Sequence, residues 1–160
     1  MTASPLHLVS RFFDFLTARG LDESERNEVE RYLRKEEWAL FFSQRPPDQR
    51  HGLAVARRIN ARFPERKDLA RAGLLHDVGK RHSDLGAFSR VLATIFIKLG
   101  LPLGWRFEAY RDHGRIGAEE LERLGAEPVV VEFARDHHGP PRVDIPEWND
   151  LVSADRTRWR

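Results

Sequence analysis

The chain of 160 residues contains no cysteine. This absence excludes a disulfide framework and a thiolate metal site. Any metal ion would therefore have to be bound by imidazole and carboxylate groups. Seven histidines are present, few enough for the sequence context of each to be considered separately.

Long apolar runs are also missing. The most hydrophobic stretch, from Val91 to Trp105, is interrupted by Lys98 and is shorter than the roughly 20 residues that a membrane-spanning helix needs. Near the N-terminus, Arg11 and Asp14 fall within the apolar part and a basic start is missing, which argues against a signal peptide. We therefore expect a cytoplasmic protein without a membrane partner.

Neither sign of charge dominates. The chain has 27 basic and 25 acidic residues, a formal net charge of +2, and the two signs are mixed along the sequence. This charge is too small to predict a nucleic-acid partner, although the isoelectric point is about 9.3. Hydrophobic residues make up 41% of the chain, which suits one globular domain with a sizeable core.

Apolar residues recur with helical spacing, and no segment shows the alternation typical of a strand. We predict an all-α, single-domain helical bundle in which N-terminal helices (1–45) pack on a compact unit (46–160). The aromatic cluster from Trp38 to Phe42 is assigned to packing, with a surface for a partner or for a homodimer as the alternative. The predicted helices are 6–18, 22–35, 36–44, 46–63, 67–77, 85–99, one starting near 112, 127–138, and one from 146 onward.

The stretch from Leu74 to Lys80, LLHDVGK, places an imidazole beside a carboxylate at the predicted end of a helix. Helical spacing from the preceding apolar residues directs both His76 and Asp77 inward. Gly79 is expected to end the helix in a left-handed cap. A buried carboxylate beside a buried imidazole must be paired or bound to a metal ion.

One His-Asp pair proves little, because roughly half a pair is expected by chance in this composition. Each further inward histidine, taken alone, is more simply a hydrogen-bonded core residue. Six such polar positions on five helices are rare in a purely structural core, and a shared metal ion explains all of them. A helical bundle in which these six residues are purely structural and bind no metal is the alternative. His7 and His82 fall outside the pattern and are expected to be solvated. The six positions are His51, His76, Asp77, His113, His137 and Asp155.

This arrangement resembles the HD-domain superfamily of metal-dependent phosphohydrolases over roughly Pro46 to Trp159. The signature of that family is an early His, an HD pair at a helix end and a late Asp. It is matched here by His51, His76-Asp77 and Asp155. The resemblance implies an HD-type helical bundle whose core metal ligands are these four residues.

Other segments resemble particular branches of the superfamily. Residues 76–80, HDVGK, are similar to the subgroup with HD-x-G-K, and residues 112–118, DHGRIGA, resemble the further His and small-residue helix found there. His137-His138 resembles the paired His of the HD-GYP branch or the single His of the symmetrical diadenosine-polyphosphate hydrolases. Two departures stand out. Gly-Pro-Pro-Arg replaces the Gly-Tyr-Pro stretch, which argues against cyclic di-GMP hydrolysis, and Gly114 follows His113 where relatives commonly have Pro.

The resemblance implies hydrolysis of a phosphoester or phosphoanhydride of a nucleotide-like substrate by metal-activated water. A divalent ion held by imidazoles and carboxylates keeps positions open for water and a phosphoryl oxygen, and lowers the pKa of that water towards about 7. Asp77 is expected to bind metal and to act in catalysis by bridging the metal and the nucleophilic water. A regulatory HD domain that binds metal and a nucleotide without turnover is the alternative.

Cationic side chains near the motifs are candidates for phosphate binding. Lys80, just past the expected cap, is predicted to bind substrate phosphate and to act in catalysis. Four arginines are weaker candidates, and each is equally well explained as a solvated surface charge. They are Arg81, Arg111, Arg115 and Arg142.

The additional histidines bear on the number of metal ions. His113, His137 and also His138 are expected to face the same cavity as the core ligands, where unpaired imidazoles would be unfavourable. We therefore predict two divalent ions about 3.5 to 4 Å apart, bridged by Asp77. A single ion, with these histidines binding phosphate, is the alternative. The sequence is compatible with Fe, Mn, Ni, Co, Mg or Zn.

Overall fold

The computed structural model describes residues 17–86 and 104–157, together with positions 89, 93, 95, 96, 100 and 102. These residues form helices and no strand, which confirms the predicted all-α fold. The helix predicted at 6–18 lies almost wholly, and that at 85–99 largely, outside the described residues. None of the described helices is long and apolar enough to cross a membrane. The helices are α1 (Glu23–Glu30), α2 (Lys35–Phe42), α3 (Pro46–Arg62), α4 (Lys67–Leu75), a 3-10 helix (Val78–Ser83), α5 (Trp105–Arg111), α6 (His113–Arg123), α7 (Pro128–Asp136) and α8 (Trp148–Arg156).

The N-terminal helices begin where local capping favours them. Asp22 and Glu25 form a reciprocal capping box at the start of α1, as predicted. The helix ends at Glu30, earlier than expected, because a second N-terminus forms at Arg34. There the backbone N–H of Arg34 donates to the carboxylate of Glu37 at 2.9 Å. Helix α2 follows, with Phe41 fully buried in the common core.

Helix α4 is the centre of the bundle. Every residue from Leu69 to Leu75 is buried, and α3, α7 and α8 pack around this helix. Its closest neighbour is α3, because glycines stand at their crossing. A Cβ on Gly52 would lie 2.9 Å from the carbonyl oxygen of Leu74, and one on Gly73 would lie 2.9 Å from Val55 Cγ1. This close crossing brings the residue before Gly52, His51, towards the C-terminal end of α4.

Helix α8 is tied to α3 by polar contacts. The guanidinium of Arg58 donates to the carbonyl oxygen of Ala154 at 3.2 Å, and Arg62 pairs with Asp150 at 2.7 Å. On the core side, Leu151 is fully buried. These contacts fix the register of α8 on α3 and thereby the position of Asp155.

The prediction that Gly79 forms a left-handed cap is wrong. Gly79 lies inside the 3-10 helix, and the left-handed residue of this stretch is Asp84, with φ of 46°. Gly79 is instead required by close packing, because a Cβ there would lie 1.9 Å from the carbonyl oxygen of His113 and 2.8 Å from the amide nitrogen of Gly117. The glycine lets α6 lie directly against the 3-10 helix.

Helix α5 was not predicted, since the sequence from Gly100 to Gly104 indicated only a bend before a helix near Asp112. None of its seven residues is buried, and only Phe107, Ala109 and Tyr110 are half-buried, so its apolar face is too short to stand out in the helical periodicity. It packs against the 3-10 helix and leads directly into α6.

We predict that Gly79→Ala lowers the free energy of unfolding by about 3 kcal/mol or more, because the added methyl group meets backbone atoms of α6 that no side-chain rotation can move. Chemical denaturation measures the change. Gly86→Ala is the matched control, since a Cβ there meets nothing within 4 Å and should change stability by less than about 1 kcal/mol. Equal stability of the two variants would contradict the close packing.

Candidate metal centre

The centre is built around Asp77, which follows the last turn of α4 and precedes the 3-10 helix. Its side chain is almost completely buried, with 2% of the residue exposed, and its neighbour His76 is fully buried. The inward direction predicted for both side chains is therefore confirmed. Residues three apart lie on the same side of a 3-10 helix, so the side chain of Lys80 contacts that of Asp77, with 2.5 Å between Nζ and Oδ2.

One side of Asp77 faces a group of residues from α3, α4 and α8. Nε2 of His76 lies 3.4 Å from Oδ2 of Asp77 and 3.2 Å from Oδ1 of Asp155. The same Asp155 oxygen lies 2.8 Å from Nε2 of His51. The four residues expected to be the core ligands are therefore brought together.

The other oxygen of Asp77 faces the histidines of α6 and α7. Oδ1 lies 3.4 Å from Nε2 of His113 and 3.6 Å from Nε2 of His137. His138 is more exposed, but its ring is only 3.9 Å from that of His137, measured between centroids. Ligand atoms of these three histidines lie within 4.8 Å of one another, as do those of His51, His76 and Asp77. Asp77 thus stands between two clusters of potential ligands.

Backbone carbonyl groups orient three of the imidazoles. Nδ1 of His76 donates to the carbonyl oxygen of Gly73 at 2.9 Å, and Nδ1 of His113 donates to that of Tyr110 at 2.6 Å. In the same way, Nδ1 of His137 donates to Phe133 at 3.1 Å. A carbonyl oxygen can only accept, so Nδ1 carries the hydrogen in each case and Nε2 is the atom directed into the centre. Metal-binding histidines commonly have their other ring nitrogen held in this way.

The atoms directed into the centre lack hydrogen bonds. Within the described part of the chain, Nε2 of His76, His113 and His137 and Oδ1 of Asp77 have no hydrogen-bond partner of suitable geometry, although all four atoms are buried. A single unsatisfied buried polar atom costs about 1–3 kcal/mol, so four at one point are unfavourable unless a further group binds them. A divalent ion fits this combination of imidazole and carboxylate donors.

Electrostatics at the centre favour added positive charge. Burial alone would lower the pKa of His76, but Asp77 and Asp155 outweigh this effect and raise it to about 10. Burial would likewise raise the pKa of Asp77, yet His76 and Lys80 hold it well below its usual range. Both carboxylates therefore stay ionised and stabilise a positive charge on His76, and a metal ion at this point would have to displace the proton from Nε2 of that ring.

Two histidines of the second group, His137 and His138, are held neutral. Burial, together with the nearby His76, keeps the pKa of His137 well below its usual value. Burial and the neighbouring His113 lower the pKa of His138 to about 4. Neutral imidazoles have a free lone pair, which is the form that binds a metal ion.

The cationic residues proposed for phosphate binding have different surroundings. Lys80 contacts Asp77 within the centre, whereas each of the four arginines pairs with a carboxylate outside the cluster. The arginine pairs are Arg81 with Glu120, Arg111 with Asp112, Arg115 with Glu119 and Arg142 with Asp136.

The two remaining histidines lie outside the centre or outside the described residues. His82 is partly exposed and forms a hydrogen bond with Glu120 at 2.9 Å, and His7 lies outside the described residues.

Sequence reasoning missed Tyr110. Its carbonyl oxygen holds His113, and its ring lies 5.8 Å from the His113 ring between centroids. The available signal was its position three residues before His113, where a backbone carbonyl can reach the imidazole of the next turn.

A model of the HD-domain family matches residues 50–159 of the chain. Neither the curated proteins nor the solved structures include a significant match. The matched range spans more than half of the chain and contains every residue of both ligand groups, from His51 to Asp155.

We predict that His113→Ala combined with His137→Ala lowers the ratio of bound metal to protein from about two to about one, because only one of the two ligand groups is removed. Elemental analysis of purified protein measures this ratio. His82→Ala, which removes a histidine outside the centre, should leave it unchanged. A ratio of one in both the wild type and the double variant would show a single metal ion and would assign those histidines to another role.

Proposed function

Because this chain belongs to the HD-domain family, we propose that it is a metal-dependent phosphohydrolase. The proposed reaction is cleavage of a phosphoester or phosphoanhydride bond in a nucleotide-like small molecule. The position of Asp77 carries the proposal, since one buried carboxylate faces two groups of metal-binding side chains. Such an arrangement suits chemistry at a phosphoryl group, where charge accumulates on several oxygens at once.

Two groups of residues would hold the metal. The first is His51, His76 and Asp155, and the second is His113, His137 and His138. Asp77 would contribute one oxygen to each group, which makes two ions our preferred proposal. When bound, a divalent ion supplies a Lewis acid and a water molecule of lowered pKa.

Asp77 and Lys80 would have separate roles in the reaction. Asp77 stays ionised and can accept a hydrogen bond from the attacking water, which fixes the direction of the attack. Lys80 stays charged, because Asp77 raises the pKa of the ammonium more than burial lowers it. The ammonium group can therefore bind a phosphoryl oxygen beside the reacting bond.

The arginines would act farther from the reacting bond. The side chains of Arg111, Arg115 and Arg142 are at least half exposed, so they can exchange their carboxylate partners for substrate phosphate. Arg81 is largely buried, and it donates to the carbonyl oxygen of Val78 and to Glu120. Arg81 belongs to the 3-10 helix itself, one position after Lys80, and would reach phosphate only from there.

We predict that Asp77→Asn abolishes turnover while circular dichroism shows an unchanged helical content, because the substitution keeps the shape and removes the anionic ligand. The loss should exceed the 10- to 100-fold that removal of an outer hydrogen-bond partner of a metal ligand typically causes. The assay is a screen of nucleotides, dinucleoside polyphosphates and cyclic dinucleotides with Mn, Fe, Co, Ni and Mg. Activity of the variant within a few-fold of wild type would refute the assignment.

Lys80→Ala is the comparison variant. It should retain bound metal and lose phosphate affinity, because Lys80 contacts Asp77 without being a metal ligand. Loss of metal in this variant would contradict the role given to Lys80. A wild-type protein that binds metal and a nucleotide but turns over no substrate would favour the regulatory alternative.

A further inference from the structure

Glu132 of α7 is a buried carboxylate that belongs to neither ligand group. Only 4% of the residue is exposed, so its charge needs polar partners within the protein. One oxygen, Oε1, accepts the backbone N–H of Arg142, which lies in the segment between α7 and α8. The other oxygen, Oε2, accepts a longer hydrogen bond from Arg135 at 3.4 Å. The closer partner of this buried charge is therefore the backbone of the segment that follows His138.

The segment that follows His138 is held at both ends. At its start, Nε1 of Trp148 donates to the carbonyl oxygen of Gly139 at 3.2 Å. At its end, the N–H of Arg142 donates to the carboxylate of Glu132. The two residues between these points are prolines, whose rings fix the backbone angle φ. The chain therefore turns back beside α7 directly after His138, and this reversal has little conformational freedom.

His138 depends on its backbone for position more than the other two histidines of its group. Its ring lies 3.9 Å from that of His137 and 5.7 Å from that of His113, measured between centroids. His113 and His137 are only 6% and 2% exposed, whereas His138 is exposed. Surrounding side chains therefore cover the His138 ring least, and the conformation of the chain that follows it matters most.

We propose that Glu132 is a positioning residue, which fixes the reversal after His138 and thereby keeps that imidazole within the second ligand group. The inference rests on the proposed function, in which this group holds a second metal ion. A carboxylate suits the role because a charge-assisted hydrogen bond to a backbone N–H is shorter and stronger than a neutral one. Glu132 would act on the metal only through His138.

Three variants separate this role from general support of the fold. Glu132→Ala removes the acceptor of the Arg142 N–H. Glu132→Gln keeps an amide oxygen at that place and removes only the charge. Glu122→Ala is the matched control, because Glu122 also accepts from Arg135, at 2.6 Å, but does not hold the segment after His138.

The first measurement uses the metal-free full chain and follows exchange of the Arg142 amide hydrogen by nuclear magnetic resonance. A hydrogen-bonded N–H is protected from exchange with solvent. We expect slow exchange in the wild type, in Glu132→Gln and in Glu122→Ala. Exchange should be markedly faster in Glu132→Ala, while circular dichroism shows an unchanged helical content.

The second measurement is a calorimetric titration of each protein with Mn²⁺ alone. We expect Glu132→Ala to bind the second ion about 10- to 100-fold more weakly, as when an outer partner of a metal ligand is removed. Binding of the first ion should not change, because its ligands lie on α3, α4 and α8 and beside the 3-10 helix. Glu132→Gln and Glu122→Ala should stay close to the wild type.

A double-mutant cycle with His138→Ala tests whether Glu132 acts through that histidine. Adding Glu132→Ala to His138→Ala should cause little further loss of affinity for the second ion, because the positioned ligand is already absent. A full additional loss in the double variant would overturn the inference. Wild-type affinity for the second ion in Glu132→Ala alone, or a protected Arg142 amide in that variant, would also overturn it.

Failure of the proposed function gives a different result. A wild type that binds two Mn²⁺ ions and shows these effects, but hydrolyses no phosphoester, would contradict the phosphohydrolase and support the positioning role. A wild type that binds only one ion would overturn the inference whatever its activity, because His138 would then have no second ion to bind.

Discussion

The buried charge of Asp77 is the constraint on which the rest of the centre depends. A carboxylate that is only 2% exposed must be compensated by nearby groups, and here imidazoles approach both of its oxygens. Lys80 supplies one positive charge, at 2.5 Å from Oδ2. The buried Nε2 atoms without hydrogen-bond partners leave a place where a further cation is favourable. Stability and the proposed metal binding therefore depend on the same group.

Helix packing has to be unusually close for these side chains to meet. Gly52 and Gly73 allow α3 to cross α4, and Gly79 allows α6 to lie on the 3-10 helix. Gly114 does the same between α6 and α7, since a Cβ there would lie 2.6 Å from the carbonyl oxygen of Arg135. Each crossing is a few residues from a histidine of the centre. Backbone contacts, rather than long side chains, thus set the distances between the candidate ligands. The carbonyl groups that orient His76, His113 and His137 belong to residues three or four positions earlier in the chain.

Helical periodicity was sufficient to predict the inward positions of His51, His76, His113 and His137, because burial on one helix face is a local property. Distances between helices are not local, so Gly79 was predicted to form a helix cap, whereas its actual role is close packing. Helix α5 was missed for a local reason, because its seven residues include only three half-buried apolar side chains and no buried one, too few to create a pattern. Tyr110 was missed with that helix. The resemblance to the family supplied the predicted core ligands, and the structure added which oxygen of Asp77 faces which histidines.

The central claim is that catalysis belongs to metal held around Asp77, and reversible metal removal tests it most directly. The wild-type protein would be treated with chelator until elemental analysis finds no metal, assayed on its best phosphoester substrate, and assayed again after a single divalent metal is restored. The account predicts that turnover disappears with the metal and returns with it, while the helical content stays nearly constant. Undiminished turnover in protein verified to be free of metal would contradict the account.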